Sequence, residues 1–198
     1  MTIKRLCVFC GSSPGSRPDY ARAARELGAL LARRGIGLVF GGGKVGMMGQ
    51  LAQAALENGG EVIGVIPRDL YDRNVAFSGL TDLRVVGTMH ERKALMAGLA
   101  DGFMALPGGL GTLEEIFEIL TWAQLGMHQK PCGLLDIAGY FTPLLRFLNH
   151  VAEQGFIDPP HRAMILSAEF PGDLLRQFEN YKPIVADKAE WALGLTES

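Results

Sequence analysis

Short apolar runs alternate with helical patterns along almost all of this 198-residue chain. The predicted strands cover residues 6–9, 36–40, 62–66, 83–86, 103–106 and 133–137. The predicted helices cover residues 18–34, 47–58, 90–100, 112–125 and 140–154. The strand runs are continuously apolar, which is typical of parallel strands that are covered on both faces. The sequence therefore predicts an α/β fold: a Rossmann-like doubly wound parallel sheet with helices on both faces, in a single domain over residues 1–198.

Charge and composition exclude several classes of partner. The net charge is −2 and no Lys/Arg cluster is present, which argues against binding to a nucleic acid polymer. No apolar run approaches the roughly 18–20 residues of a membrane span. The chain has three cysteines, an odd number for a disulfide framework, and its first residues lead into a strand rather than a signal peptide. We therefore expect a cytoplasmic protein with no membrane partner.

Glycine-rich turns follow three of the predicted strands, at residues 11–13, 41–43 and 108–111. The carboxyl ends of parallel strands meet at one edge of a sheet, where ligands bind, so we expect these turns to form one site. Residues 41–46 match G-x-G-x-x-G, but Glu61 lies at the wrong end of its strand to hold a dinucleotide ribose. No Gly-Lys-Ser/Thr follows, so this is not a Walker loop. We therefore still expect the backbone of a nucleotide to lie against these glycines.

The segment Pro107-Gly-Gly-Leu-Gly-Thr-Leu-Glu-Glu115 opens an amphipathic helix. Its glycines and the free N–H groups at the helix start suit a phosphate, yet two carboxylates, Glu114 and Glu115, follow at once. The alternative is a capping box in which Thr112 and Glu115 bond each other's backbone. The predicted core stripe is Leu113, Ile116, Phe117, Leu120 and Ala123. Because Ile119 and Trp122 share the side of Glu115, we expect that side to be covered by a second copy of the chain or by an apolar substrate pocket.

Two further motifs lie near the predicted strands. Arg92 heads an apolar helical stripe, so it points inward and needs an anion: Glu115, a substrate phosphate, or both. A purely structural Arg–Glu pair is the alternative.

Cys7 and Cys10 form a C-x-x-C, but residues three apart in a strand point to opposite faces. We therefore expect neither a redox pair nor a metal site.

These motifs together resemble the Lonely Guy (LOG) family, whose hallmark is PGGxGTxxE downstream of an M-x-x-R-K helix start. The resemblance covers most of the chain. It includes Met89-His-Glu-Arg-Lys93, Cys10-Gly-Ser-Ser13, Val39-Phe-Gly-Gly-Gly43, Gly46-Met-Met-Gly49 and Thr121-Trp-Ala-Gln-Leu-Gly126.

The resemblance implies a phosphoribohydrolase that cleaves cytokinin riboside 5′-monophosphates, and often AMP, to free base and ribose 5-phosphate, without a cofactor. It also implies a homodimer with sites near the interface. Arg92 and Glu115 match the catalytic pair of the family. The predicted substrate-binding residues are Gly11, Ser12, Gly42, Gly43, Met89, Arg92, Lys93, Pro107, Gly108, Gly109, Leu110, Gly111, Thr112, Leu113, Glu114, Glu115 and Thr121.

Two features qualify the resemblance. Asn74 and Phe77 replace an acid and a histidine that many relatives have, so base preference or rate is expected to differ. The family is also sometimes labelled lysine decarboxylase, but no lysine here is marked as a pyridoxal Schiff-base residue.

The alternative function is a non-catalytic nucleotide or cofactor carrier on the same fold, although a carrier needs no carboxylate near a phosphate.

Overall fold

The computed structural model describes residues 2–184, which contain seven β-strands and eight α-helices. The strands are β1 (Arg5–Phe9), β2 (Gly37–Phe40), β3 (Val62–Pro67), β4 (Asp82–Val86), β5 (Gly102–Ala105), β6 (Cys132–Leu135) and β7 (Ile165–Ala168). The helices are α1 (Pro18–Arg33), α2 (Gly46–Glu57), α3 (Arg68–Asp72), α4 (Met89–Leu99), α5 (Leu110–Gln124), α6 (Thr142–Glu153), α7 (Pro159–Ala163) and α8 (Pro171–Glu179). Among these residues no helix is long and apolar enough to cross a bilayer.

The strands form one parallel sheet in the order β4-β3-β2-β1-β5-β6-β7. The chain builds outward from β1 to β4 and then returns to add β5, β6 and β7 on the other side of β1. The sheet therefore reverses its direction of growth between β1 and β5, where doubly wound folds bind ligands. The predicted Rossmann-like architecture is confirmed.

Apolar side chains cover the sheet on both faces. One face packs against α1, α2 and α8 through residues such as Leu27, Leu51 and Phe178. The other packs against α4 and α5 through Met96 and Ile116. Strands β1, β2, β3, β5 and β6 are almost wholly buried, as their continuous apolar runs predict, whereas the edge strands β4 and β7 are half-buried.

The structure differs from the predicted elements at several places, including the helices α7 and α8, which follow the last predicted helix. Strand β7 was not predicted, because a half-buried edge strand of four residues has no continuous apolar run. The connection 67–81 contains the short helix α3, whose five residues are too few to show a helical period. Helix α5 begins at Leu110, two residues before the predicted start. Residues 185–198 lie outside the described residues.

The two cysteines of the C-x-x-C lie on opposite faces of the sheet, as predicted. Cys7 packs into the core beneath α4 and α5, and Cys10 into the core beneath α1 and α2. Both thiols are free and buried, and burial is the main cause that raises the pKa of each. Neither is therefore available as a thiolate for redox chemistry.

Candidate active site

The three glycine-rich turns meet at the carboxyl edge of the sheet, as predicted. Gly11, after β1, donates its N–H to the carbonyl of Pro107, after β5, at 3.1 Å. It also accepts from the N–H of Met47, at the start of α2, at 3.0 Å. These contacts frame a cavity of about 330 Å³ between β1, α4 and α5. Its walls include Gly11, Ser12, Gly41, Met48, Leu70, Arg92, Gly109, Leu110, Gly111, Thr112 and Glu115.

An ion pair between Arg92 and Glu115 lies at the base of this cavity. Nη2 of Arg92 is 3.0 Å from Oε1 of Glu115, and the two side chains are only 10% and 9% exposed. Arg92 comes from the first turn of α4 and Glu115 from the second turn of α5, so the pair joins the two helices on one face of the sheet. The predicted pairing of Arg92 with Glu115 is confirmed.

The surroundings of Arg92 leave part of its guanidinium available. Nη1 lies 3.6 Å from the sulfur of Met89, a weak acceptor. Its buried Nε makes no hydrogen bond to any residue between 2 and 184. A buried N–H of a charged group without an acceptor carries a cost in stability.

Glu115 lies in an environment that disfavours its charge. Burial raises the pKa of Glu115 above its ordinary value, and the nearby Arg92 only partly opposes this effect. A carboxylate with a raised pKa beside a cation at a cavity wall is typical of an acid–base or electrostatic catalyst. The pairing therefore keeps a buried carboxylate at the cavity wall.

Helix α5 begins at the glycine loop and directs its first N–H groups at the cavity. The N-cap is Gly109, and Leu113 N donates to Gly109 O at 3.1 Å as the first bond of the helix. The capping-box alternative is wrong, because Thr112 lies in the first turn rather than at the cap and Glu115 pairs with Arg92. A Cβ on Gly109 or Gly111 would meet no protein atom within 4 Å. The open space at these two positions lets a ligand approach the backbone closely.

Lys93 and Glu114 lie beside the cavity rather than on its wall. Lys93 Nζ is 2.5 Å from Oε1 of Glu114 and 3.0 Å from Oε2 of Glu118, and its side chain is 8% exposed. Burial lowers the pKa of Lys93, but the hydrogen bonds of the two carboxylates outweigh it and the net shift is upward. This arrangement clamps α4 to α5, and direct contact of Lys93 or Glu114 with substrate stays a prediction.

Other predicted binding residues support the cavity from behind. Gly42, at φ +74°, packs under Ile66, and Gly43 forms an antiparallel bridge with Ala76. Leu113 is half-buried in the core beneath α5. Pro107 and Gly108 line an adjoining cleft of about 320 Å³ together with Gly11, Ser12 and Gly109.

Thr121 is not brought to this cavity. It is exposed on α5 and lines a separate apolar cleft of about 140 Å³ with Phe117, Leu120 and Leu148. The predicted core stripe on α5 does contact the core, through the buried Ile116 and the half-buried Leu113, Phe117 and Leu120, and the buried face extends further to Glu115 and Ile119. Ile119 is 1% exposed within one chain and needs no second copy to cover it, whereas Trp122 is half-buried and its coverage by a second copy stays a prediction.

The connection 67–81 lies against the second glycine turn. Phe77 N donates to Gly42 O at 2.8 Å and Lys44 N donates to Val75 O at 2.9 Å. Asn74 adopts φ +58°, a left-handed conformation that asparagine tolerates better than most residues. Leu70 from this connection reaches the cavity wall, so the connection forms part of the site.

Sequence reasoning missed Gly41 as a site residue. A Cβ at this position would overlap Nη2 of Arg92, so the glycine makes room for the guanidinium. The sequence does mark this position, because Gly41 is the first glycine of the G-x-G-x-x-G motif that follows β2. Met48 and Leu70 were also missed, since an apolar side chain gives no local sign that it faces a cavity.

Gly41→Ala is expected to lower kcat/KM at least tenfold, because the added methyl displaces the Arg92 guanidinium from Glu115. The matched control is Gly98→Ala, in the same helix as Arg92, where a Cβ meets nothing within 4 Å and alanine favours the helix. Steady-state kinetics with thermal melts of both variants checks this. Equal activity of Gly41→Ala and the wild type would show that the position of Arg92 does not matter.

Comparisons with known proteins show the family to which the chain belongs. The profile of a family described as "possible lysine decarboxylase" matches residues 48–178. The chain is 51% identical over 181 residues to cytokinin riboside 5′-monophosphate phosphoribohydrolase LOG7 of Arabidopsis thaliana, covering 91% of this chain and 83% of that protein. It is 48% identical over 194 residues to the phosphoribohydrolase LOG1 of the same plant, covering 96% and 91%.

A solved structure supports the fold. The molybdenum cofactor binding protein of Rippkaea orientalis superimposes with a TM-score of 0.67 at 24% identity, covering 91% of this chain and 98% of that one. The family description names a decarboxylase, but no lysine among residues 2–184 lines the cavity. The match of the family profile to most of the chain, and its near 50% identity to two plant phosphoribohydrolases, place this protein in the LOG family.

Proposed function

We propose that this chain hydrolyses the N-glycosidic bond of adenine nucleoside 5′-monophosphates, N6-substituted (cytokinin) or plain, to free base and ribose 5-phosphate. The observation that carries the proposal is the buried Arg92–Glu115 pair next to the open N-terminus of α5. The names of its relatives, which are cytokinin riboside 5′-monophosphate phosphoribohydrolases, supply the substrate class.

Glu115 acts on the sugar in this proposal. Breaking the bond between C1′ and the base leaves positive charge on the ribose, and a nearby carboxylate stabilises that charge. The electron pair of the bond goes to the base, which takes up a proton from solvent, while the oxygen of water bonds to C1′ and gives its proton to the carboxylate, which returns it to solvent. Arg92 is paired to Oε1 of Glu115, which leaves Oε2 as the oxygen for the sugar and water.

The first turn of α5 binds the 5′-phosphate. The N–H groups of Gly109 to Thr112 have no carbonyl partner within the helix, as in every helix start. They combine with the positive end of the helix dipole to favour an anion. Two glycines with open space above them, Gly109 and Gly111, let the phosphate reach those N–H groups.

The base lies against apolar groups in this proposal. Met48 and Leu70 are on the cavity wall, and the backbone of the 74–77 segment lies beyond them. With Asn74 and Phe77 where relatives have an acid and a histidine, base discrimination depends mainly on apolar contact. Substitutions on the N6 position of adenine are therefore tolerated better than loss of the phosphate.

A non-catalytic carrier is the alternative. The likeness to a molybdenum cofactor binding protein extends to the fold alone, at 24% identity. A carboxylate at the wall of an anion site favours an enzyme, since a carrier gains nothing from it. Incubation with AMP and with prenylated AMP separates the two: an enzyme releases free base, and a carrier binds the nucleotide unchanged.

A homodimer and a cytoplasmic location complete the proposal, with residues 1–198 as one domain. The second copy covers the apolar cleft between α5 and α6, because α6 buries only Leu148 of its apolar face within one chain and Phe147 is 60% exposed. Thr121 lies in that cleft, which would bring this residue close to the partner's chain. Symmetric dimers are the commonest closed assemblies.

Thr121→Arg is expected to convert the dimer to a monomer, because it places a charge in the covered cleft. Light scattering at micromolar concentration measures the mass. Gln53→Arg is the matched control, since Gln53 is exposed on α2, on the opposite face of the sheet. A wild-type chain that is already monomeric would contradict the proposed dimer.

A further inference from the structure

Tyr140, in the connection between β6 and α6, reaches the glycine loop from outside the cavity. Its hydroxyl donates to the carbonyl oxygen of Gly108 at 2.6 Å. Its ring lines the adjoining cleft, on the side of the loop that faces α1, whereas Arg92 and Glu115 line the cavity on the other side. Tyr140 therefore contacts the loop without contacting the reacting groups.

The connection that holds Tyr140 is pinned at its base. The buried carboxylate of Asp136 accepts from Phe141 N at 2.5 Å, from Thr142 N at 3.2 Å and from Thr142 Oγ1 at 2.7 Å. Between them, Ala138 adopts φ +52°, a left-handed conformation that is unfavourable for a residue with a side chain. Such a conformation persists where the surrounding structure fixes it, so this connection is a defined element.

Aromatic contacts fix the ring of Tyr140. Its centroid is 5.7 Å from that of Tyr20 and 5.0 Å from that of Phe141, and both contacts are edge-to-face. A phenol ring held in this way has few rotamers left, which fixes the position of its hydroxyl. The hydroxyl that donates to Gly108 is thus carried by a ring that packs against two others.

The bond to Gly108 decides which way the next N–H points. In a trans peptide the carbonyl and the following N–H point in opposite directions. A Gly108 carbonyl held by Tyr140 on the side of α1 therefore turns the N–H of Gly109 towards the cavity. The neighbouring carbonyls are also held, Pro107 O by Gly11 N and Gly109 O by Leu113 N, each at 3.1 Å.

A peptide between two glycines rotates more easily than any other, because neither residue has a Cβ to oppose the change. After a half-turn the Gly108 carbonyl would face the cavity and repel an anion there. We propose that Tyr140 is a positioning residue that prevents this rotation and keeps the Gly109 N–H directed at the substrate phosphate. The inference rests on the proposed function, since it assumes a phosphate at the start of α5.

Tyr140→Phe tests the inference, because it removes the hydroxyl and keeps the ring packing. We expect KM for AMP to rise about tenfold with kcat changed less than about twofold, the order of effect of one hydrogen bond acting on binding. The dissociation constant of ribose 5-phosphate, measured by calorimetry, should rise by a similar factor, while cleavage of adenosine is unchanged. Tyr20→Phe is the matched control: it deletes a hydroxyl from the neighbouring ring and leaves the Gly108 contact in place.

The outcomes separate the two proposals. If the wild type cleaves AMP and Tyr140→Phe matches its KM and its affinity for ribose 5-phosphate, the inference about Tyr140 is wrong and the function stands. A fall in kcat for AMP and adenosine alike would also overturn it, since that pattern indicates a general structural role. A wild type that neither binds nor cleaves AMP would overturn both.

Discussion

Glu115→Gln is expected to lower kcat by about 10²-fold or more while the fold and nucleotide binding persist. The amide cannot stabilise a developing positive charge as a carboxylate does, nor accept a proton from water. It does keep an acceptor for Arg92, whose Nη2 lies 3.0 Å from Oε1 of Glu115, so the helix contact survives in part. Steady-state kinetics gives kcat, and calorimetry with AMP gives the binding constant.

The same substitution has a signature in the pH profile. Burial raises the pKa of Glu115, so the active carboxylate is lost on acidification at a higher pH than the ordinary value of about 4.3 for a glutamate. The wild-type kcat should therefore fall as the pH drops through that raised pKa. The residual activity of the Gln variant should lack this acid limb.

Glu118→Gln is the control for the loss of one negative charge on the same helix. Glu118 is paired with Lys93 at 3.0 Å and does not line the cavity, so its loss should change kcat little. Near-normal turnover of Glu115→Gln would instead leave the Arg92–Glu115 pair as a structural ion pair between α4 and α5.

Removal of the 5′-phosphate is expected to lower kcat/KM at least ~100-fold, so AMP should be cleaved far better than adenosine. A charge-assisted hydrogen bond contributes roughly 1.5–3 kcal/mol, and several N–H groups at the start of α5 act on one phosphate. Changes in the base should matter less, because Met48 and Leu70 offer apolar contact without a fixed polar partner.

Competition measurements check where the phosphate binds. Ribose 5-phosphate should inhibit cleavage of AMP competitively, and ribose should not at the same concentration. Equal kcat/KM for AMP and adenosine would contradict the placement of a phosphate at Gly109 to Thr112.

Much of the site was predictable because its signals are local in the sequence. Continuous apolar runs identify buried parallel strands, and the glycine turns after β1, β2 and β5 share the edge where those strands end. An arginine at the head of an apolar stripe must find an anion, which led to Glu115. These inferences depend on spacing and charge, which the chain displays directly.

The remaining features depend on packing that spacing does not reveal. On α5, the predicted stripe of Ile116 and Phe117 does contact the core, yet the buried face extends further round the helix to Glu115 and Ile119. Tyr140 contacts Gly108 across 32 positions of chain, and no local pattern marks such a contact. A half-buried edge strand such as β7 likewise lacks a clear period.

Proton and phosphorus NMR of the reaction with prenylated AMP test the central claim most directly. The account predicts that the anomeric signal of the nucleotide is replaced by those of ribose 5-phosphate, with equimolar free prenylated adenine and no inorganic phosphate. This conversion should be lost with Glu115→Gln and kept with Glu118→Gln. Release of nucleoside and inorganic phosphate, or a nucleotide that binds saturably and remains intact, would contradict it.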